Sequence, residues 1–351
     1  MTHLWLRAES RMNEQRTGLT PDGAATLMAK GIEVTVEDSP TRVLPTEGYR
    51  AVGCAIVPAG SWPDAPDEAI VFGLKDLPDD GTPLTHRHIM FGHAFKAQHA
   101  GQRLLQRFKA GGGTLYDLEY LTDEDGRRVA AFGYWAGYAG AAVALLAWAA
   151  QRRGAPCPAV SAWADKGALL HDLEGKLDAT DAGRPTAIVI GAKGRVGTGA
   201  ADLCAAMGIA PTLWDIEETK GDGPFPEILA HDIFFNCILA RPDTPVFLPP
   251  SALTADRRLS VVGDIACDPD SDYNPVPVYD RTTTWAAPVT RVHVDPPLDV
   301  MAIDNLPSLL PRESSHDFAE QLLPSLLTLD RLATGVWARA ETIFHDHIKE
   351  V

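Results

Sequence analysis

At 351 residues the chain is too long for one small domain and long enough for two cores of ordinary size. Apolar residues at 45% and charged residues at 22% exclude general disorder. With 31 basic against 47 acidic side chains, the net charge of −16 repels phosphate backbones, so nucleic acid is not expected as a partner.

In chain order, a first strand is predicted over 4–9. A helix follows, with Thr20 as its cap, Pro21 in its first turn and Gly31 as its stop. Residues 32–37 alternate with period two and read as a strand, and short strands follow at 55–60 and 69–75. A helix is expected over 98–110, ended by the three glycines 111–113. Two strands then flank Asp125-Gly126, a good hairpin turn. The uncharged run 129–150 is long enough to cross a bilayer, but Ala and Gly dominate it. It reads as a strand end and a closely packed helix buried between domains, so no membrane partner is expected. Residues 152–185 are polar and turn-rich, with a linker-like end. A second α/β series opens at 186–190, a continuous apolar run typical of a buried parallel strand. Further strands are expected ending at Asp215, over 232–239 and over 259–266, and the tail from 318 to 348 reads as amphipathic helix. The N-terminus lacks a basic region followed by an apolar core, and Lys349-Glu350-Val351 is no peroxisomal signal, so the protein is expected in the cytoplasm. Five cysteines form no CxxC pair and are odd in number. That pattern argues for a reducing compartment, and no cluster with ligand spacing implies a metal.

The chemistry concentrates in two places. After the strand at 186–190 comes Gly191-Ala192-Lys193-Gly194-Arg195-Val196-Gly197, then a helix. Glycine lets a backbone approach a pyrophosphate, and a helix N-terminus supplies free N–H groups and a positive dipole end. The spacing is G-x-x-G-x-x-G and not the usual G-x-G-x-x-G, but Asp215 lies 24 residues after Gly191, at the end of the second strand. An acid there binds ribose hydroxyls and repels the extra phosphate of NADP, so NAD is the expected cofactor. In the first half, Lys75 ends an apolar run, His93 lies among apolar neighbours, Glu119 follows Leu118, and Arg127-Arg128 precede an apolar stretch. A buried lysine whose charge is disfavoured makes a general base, and histidine, titrating near neutrality, shuttles protons. Each also has a plain structural reading as a strand-end charge, a satisfied core histidine or a turn arginine.

Taken together, LRAE (6–9), VEDSP (36–40), IVPAGSW (56–62), GLKDLP (73–78), GTLYDLE (113–119), GRRVAAFGYWAGYAGAA (126–142), GAKGRVGTGA (191–200), WDIEET (214–219), FNCI (235–238) and IDNLPSLLPRE (303–313) carry a resemblance. The chain resembles the NAD-dependent, L-lysine-forming saccharopine dehydrogenases over nearly its whole length. The resemblance implies an α/β fold of two Rossmann-like domains with the active site in the interdomain cleft. These would be a discontinuous substrate and catalytic domain, 1–133 plus 312–351, and an NAD-binding domain, 134–311. It makes Lys75 the base that deprotonates the secondary amine of saccharopine, and His93 the acid–base group for water attack and carbinolamine collapse. Arg16, Gln98, Arg128 and Phe132 fall on substrate-contacting positions; Glu14 and Glu119 are acids near the site. Arg127, Gly194, Arg195, Asp215, Thr219, Leu239, Ile265, Ile303, Asp304, Asn305 and Leu306 fall on cofactor-contacting positions, joining Gly191 and Gly197 of the glycine turn. The implied partners are small molecules, saccharopine, L-lysine and 2-oxoglutarate, and the implied state is a monomer.

Two departures from the fungal pattern stand out: Arg11 replaces a lysine, and Val196 replaces the cysteine that would pair with Cys237. The alternative readings are a related dehydrogenase condensing 2-oxoglutarate with another amine, and a catalytically silent NAD-binding module.

Overall fold

The structure is a computed structural model and describes residues 1–95, 99–221 and 223–351. The chain divides into two compact units, Met1–Ala131 with Pro311–Val351, and Phe132–Leu310.

The first unit begins with β1 (His3–Leu6), α1 (Pro21–Ala29), β2 (Glu33–Glu37), α2 (Thr46–Ala51), β3 (Ala55–Val57), β4 (Ile70–Phe72), β5 (Arg87–Met90), α3 (His99–Gly111) and β6 (Thr114–Asp117). Thr20 Oγ1 accepts the Gly23 N–H at 3.0 Å, and Pro21 opens the helix where its missing N–H costs nothing. The sheet runs β3-β2-β1-β4-β5-β6, all parallel. Strand order reverses on either side of β1, the switch point where ligands bind beyond the carboxyl ends of the strands. The period-two reading misses β5 because it looks basic: Arg87 is exposed, while His88 is wholly buried against Trp62 and Phe108. Burial, then the nearby charges of Arg7, His86 and Arg107, pulls the His88 pKa down to about 3, so it serves as an apolar side chain. The expected hairpin around Asp125-Gly126 shrinks to one antiparallel bridge, Thr122 to Arg128. Asp117 ends the preceding strand, because its Oδ1 accepts the Glu119 N–H at 2.9 Å and turns the chain away.

The second unit holds α4 (Gly133–Arg152), α5 (Lys166–Asp178), β7 (Ala187–Ile190), α6 (Arg195–Ala206), β8 (Thr212–Trp214), α7 (Pro226–Ala230), β9 (Ile233–Asn236), β10 (Val261–Asp264), β11 (Thr290–His293) and β12 (Leu298–Met301). Its sheet runs β11-β12-β10-β9-β7-β8, parallel except for β11. The Ala/Gly-rich run is α4, buried from Gly137 to Ala150 within this unit's core. Its glycines are a packing surface. A Cβ on Gly137 would stand 1.8 Å from the Val196 carbonyl, and one on Gly199 2.0 Å from the Tyr134 carbonyl, so α4 and α6 meet backbone to backbone. No described helix is long and apolar enough to cross a membrane. The polar segment 152–185 contains α5, capped by Asp165 on the Ala168 N–H at 2.8 Å. It buries Leu169, Leu173 and Leu177, a four-residue repeat that its charged face conceals.

The chain then returns to the first unit as α8 (Pro311–Leu326) and α9 (Gly335–Ile348). The single tail helix expected from the pattern is thus two. Trp337 folds the second onto the end of the first, its indole N–H reaching the Ser325 carbonyl at 3.2 Å and Thr328 Oγ1 at 3.0 Å.

Candidate active site

In the first unit the chemically interesting side chains all lie just past the carboxyl ends of β1, β4, β5 and β6. Glu9, after β1, accepts the backbone N–H groups of Leu74 (2.6 Å) and Lys75 (3.0 Å). Arg7 is 2% exposed and holds the same segment from the other side, donating to the Lys75 carbonyl and to Glu9 Oε2 at 3.3 Å. Gly73 is required here: a Cβ would stand 2.3 Å from Arg7 Nε. The half-buried Lys75 is therefore fixed at its backbone by a buried ion pair. Nearby, Glu14 and Arg16 form a buried, two-pronged pair at 2.8 and 2.7 Å. Burial raises the Glu14 pKa, but the Arg16 hydrogen bonds and the Arg16 and Lys75 charges outweigh it and leave the carboxyl below its ordinary value. Glu14 is an anion facing the lysine.

His93 follows β5 with φ of +47°, a conformation that side chains beyond glycine rarely adopt. Its ring stacks on Phe91, and Nδ1 lies 3.5 Å from Glu119 Oε2, while Glu119 Oε1 accepts from Arg128 at 2.8 Å. Beneath them Asp117 is fully buried and binds the Gly92 N–H at 3.2 Å and the Glu119 N–H at 2.9 Å. Burial pushes its pKa up to about 6, against those hydrogen bonds and the His93 charge. Asp117 thus joins the loop bearing His93 to the loop bearing Glu119.

In the second unit the glycine turn follows β7. Gly191 has φ of +87°, and a Cβ on Gly197 would stand 2.1 Å from the Gly191 carbonyl, so both positions admit only glycine. At Gly194 a Cβ would meet nothing closer than 3.4 Å, which leaves open space before the first turn of α6. Asp215, after β8, accepts the N–H groups of Lys193 and Ile216, both at 2.9 Å. Burial opposes its charge, but these bonds and the Lys193 charge keep its pKa below the ordinary value. A carboxylate has about four acceptor sites, so two remain for ribose hydroxyls. The residues fit a dinucleotide: open backbone, helix N-terminus and anionic acceptor. The exposed Leu239 follows β9, the buried Ile265 follows β10, and buried Ile303 and Leu306 follow β12 with Asp304 and Asn305 between them.

Sequence comparison decides the family. The saccharopine dehydrogenase (NAD+, L-lysine-forming) of Yarrowia lipolytica is 44% identical over 361 residues, covering 99% of this chain and 98% of its own length. That of Schizosaccharomyces pombe is 43% identical over 364 residues, covering 99% of each. The chain belongs to the L-lysine-forming saccharopine dehydrogenases. Residues 5–139 also match the family model "Alanine dehydrogenase/PNT, N-terminal domain". The solved structure of an L-alanine dehydrogenase matches with a TM-score of 0.71 at 17% identity, covering 99% of this chain and 100% of that one, a likeness of fold.

In this saccharopine dehydrogenase family member the expected residues fall into local groups. Glu14, Arg16 and Lys75 form one; His93, Glu119 and Arg128 form another, on the neighbouring strands β5 and β6. Arg127 is exposed, its N–H bound to Asp123 Oδ1 at 2.9 Å, and Phe132 precedes α4, half-buried. Thr219 is buried and donates to the Asp215 carbonyl at 3.0 Å. Arg195 opens α6 on an exposed face. Gln98 lies outside the described residues. Arg7, Glu9 and Asp117 were missed as site residues. Their signal is a charge directly after an apolar strand, present in LRAE and in TLYD. The cysteines are free thiols, and Val196 offers Cys237 no sulfur.

Proposed function

We infer that the protein converts saccharopine, NAD+ and water to L-lysine, 2-oxoglutarate and NADH, in a reversible reaction. The observation that carries this reading is the placement of two acid–base side chains, Lys75 and His93, past adjacent parallel strands and each beside a carboxylate. A catalytically silent module would have no use for that arrangement.

The turn at Gly191, Gly194 and Gly197 would hold NAD+ at its pyrophosphate and Asp215 would hold its adenosine ribose; the bound cofactor would supply the hydride acceptor. In its unprotonated form Lys75 accepts the proton of the secondary amine, which frees the nitrogen lone pair as hydride leaves the carbon. Glu9 fixes the lysine at its backbone N–H, and the Glu14 carboxylate offsets the charge its side chain gains. His93 takes a proton from the water that attacks the resulting imine, and returns it to the departing lysine amine. Glu119 orients that ring and steadies its imidazolium form. Saccharopine carries three carboxylates, and guanidinium binds carboxylate in two-pronged fashion. Arg16 and Arg128 are assigned to them, and Phe132 packs on the substrate chain. The enzyme acts as a monomer in the cytoplasm, a placement supported by its free thiols.

Steady-state oxidation of NADH with 2-oxoglutarate and a panel of amines tests the reading. L-Lysine should give the highest kcat/KM; a diamine or polyamine surpassing it overturns the assignment.

A further inference from the structure

A pocket of about 430 Å³ opens at the opposite edge of the second sheet. It lies beside Asp232 and Ser260, the residues immediately before β9 and β10, whereas every dinucleotide candidate of this unit lies after the strands. Four-residue strands at roughly 3.3 Å per residue put about 13 Å between the two edges, too far for one ligand group to serve both. The volume lies within the range of small-molecule sites.

Its lining is cationic in a chain of net charge −16. Arg152, Arg184, Arg257 and Arg258 all face it. Two carboxylates answer them: Asp232 takes Arg258 at 2.9 Å and Arg152 at 3.5 Å, and Asp178 takes Arg184 at 2.7 Å. Arg257 is bound instead by carbonyls, those of Pro296 at 2.6 Å and Pro297 at 3.1 Å among them. Carbonyls fix its direction without neutralising it, and burial lowers its pKa. Four guanidinium groups against two carboxylates leave two positive charges over. Three buried donors on lining residues, Trp148 Nε1, Arg257 Nε and Ser260 Oγ, have no hydrogen-bond partner among the described residues. Trp148 is 2% exposed and Ser260 5%, and native proteins rarely bury such groups unpaired. Arg152 lies over the Trp148 ring at 5.4 Å, which holds the guanidinium at the pocket wall.

We propose that this pocket is a second ligand site, for a small dianion with clustered oxygens, either a phosphate or a dicarboxylate. Two uncompensated charges match two negative charges, and the unpaired donors match oxygen acceptors. None of these residues belongs to the catalytic or dinucleotide sets, so occupancy is separable from turnover.

The test uses NADH-saturated enzyme, so that the dinucleotide site cannot take the probe, at fixed ionic strength. Calorimetric titration with inorganic phosphate should show one site per chain. Arg152→Gln and Arg184→Gln should each weaken it about tenfold or more, the usual consequence of losing a charge-assisted contact. Both variants should keep kcat and the KM for saccharopine, and circular dichroism verifies their fold. Titration with 2-oxoglutarate separates the sources. Two sites per chain, falling to one in both variants, makes a dicarboxylate an occupant; one site throughout, with the phosphate site present, assigns the pocket to phosphate. If neither probe has a site that weakens in the two variants, the proposal is wrong.

Discussion

Both sheets present the carboxyl ends of parallel strands, in different strand orders, and use that edge in opposite ways. Beyond the first sheet the chain places charge: Arg7 against Glu9, Arg16 against Glu14, and His93, Arg128 and Glu119 over a buried Asp117. Beyond the second it places mainly backbone: three glycines and a helix N-terminus, with the carboxylate of Asp215 itself held by N–H groups. The ligands proposed for the two edges account for the difference. A nucleotide of constant shape suits a turn of constant shape, whereas a tricarboxylate amine that must lose protons suits groups that carry and exchange them. Doubly wound sheets supply the location; the residues that follow each strand supply the chemistry.

Substitutions at the two edges should therefore fail in different ways. The largest effects belong to the first. Lys75→Met and His93→Gln should each lower kcat by roughly 10²- to 10⁴-fold, the worth of one positioned acid–base group, with NADH affinity little changed. Near-normal turnover in both would place the chemistry elsewhere, and the double variant should lose less than the product if the two share one proton path.

Asp117 gives the first edge a stability signature. A carboxyl at about 6 in the fold against 3.8 unfolded binds its proton more tightly when folded. Its contribution is complete below the unfolded value and disappears as pH rises through about 6. Between those pH values the stability of the parent relative to Asp117→Asn should fall by about 3 kcal/mol, at 1.36 kcal/mol per pKa unit. Urea unfolding across that range measures it, and a pH-independent difference would remove the buried carboxyl from the account.

At the second edge the expected failure is steric. Gly197→Ala must push the turn open, costing roughly 1–3 kcal/mol of stability by overpacking, and should abolish tight NADH binding while leaving the first unit intact. An alanine variant with unaltered NADH affinity would show that the turn does not hold the pyrophosphate. The smallest effect belongs to Asp215→Ala. It should weaken NADH about tenfold, the scale of one or two hydrogen bonds to a charged group, and narrow the preference over NADPH. Equal use of both cofactors by the parent enzyme overturns that role.

How much of this was readable varies by element. Strands β1, β2, β4, β7 and β10 announce themselves because apolar continuity or alternation is a local property, and α1 because its cap, proline and glycine lie within a dozen residues. The glycine turn and Asp215 were legible for the same reason. Strand β5 was not: His88 reads as polar and behaves as apolar once Trp62 and Phe108 enclose it. Helix α5 was hidden by its charged face, and the break between α8 and α9 by a continuous amphipathic pattern that Trp337 interrupts through space.

By itself, the sequence determined two α/β series and the family, and named candidates for proton exchange and for a pyrophosphate turn, because those depend on residue type and short spacing. Only the tertiary structure decided which charges are paired. That Arg7 reaches the carbonyl of Lys75, that Asp117 binds the N–H of Gly92, and that Arg152 and Arg258 meet at Asp232, depend on contacts across 25 to 80 positions. Charge pairing is a property of distance and burial, and both are set when the sheets assemble.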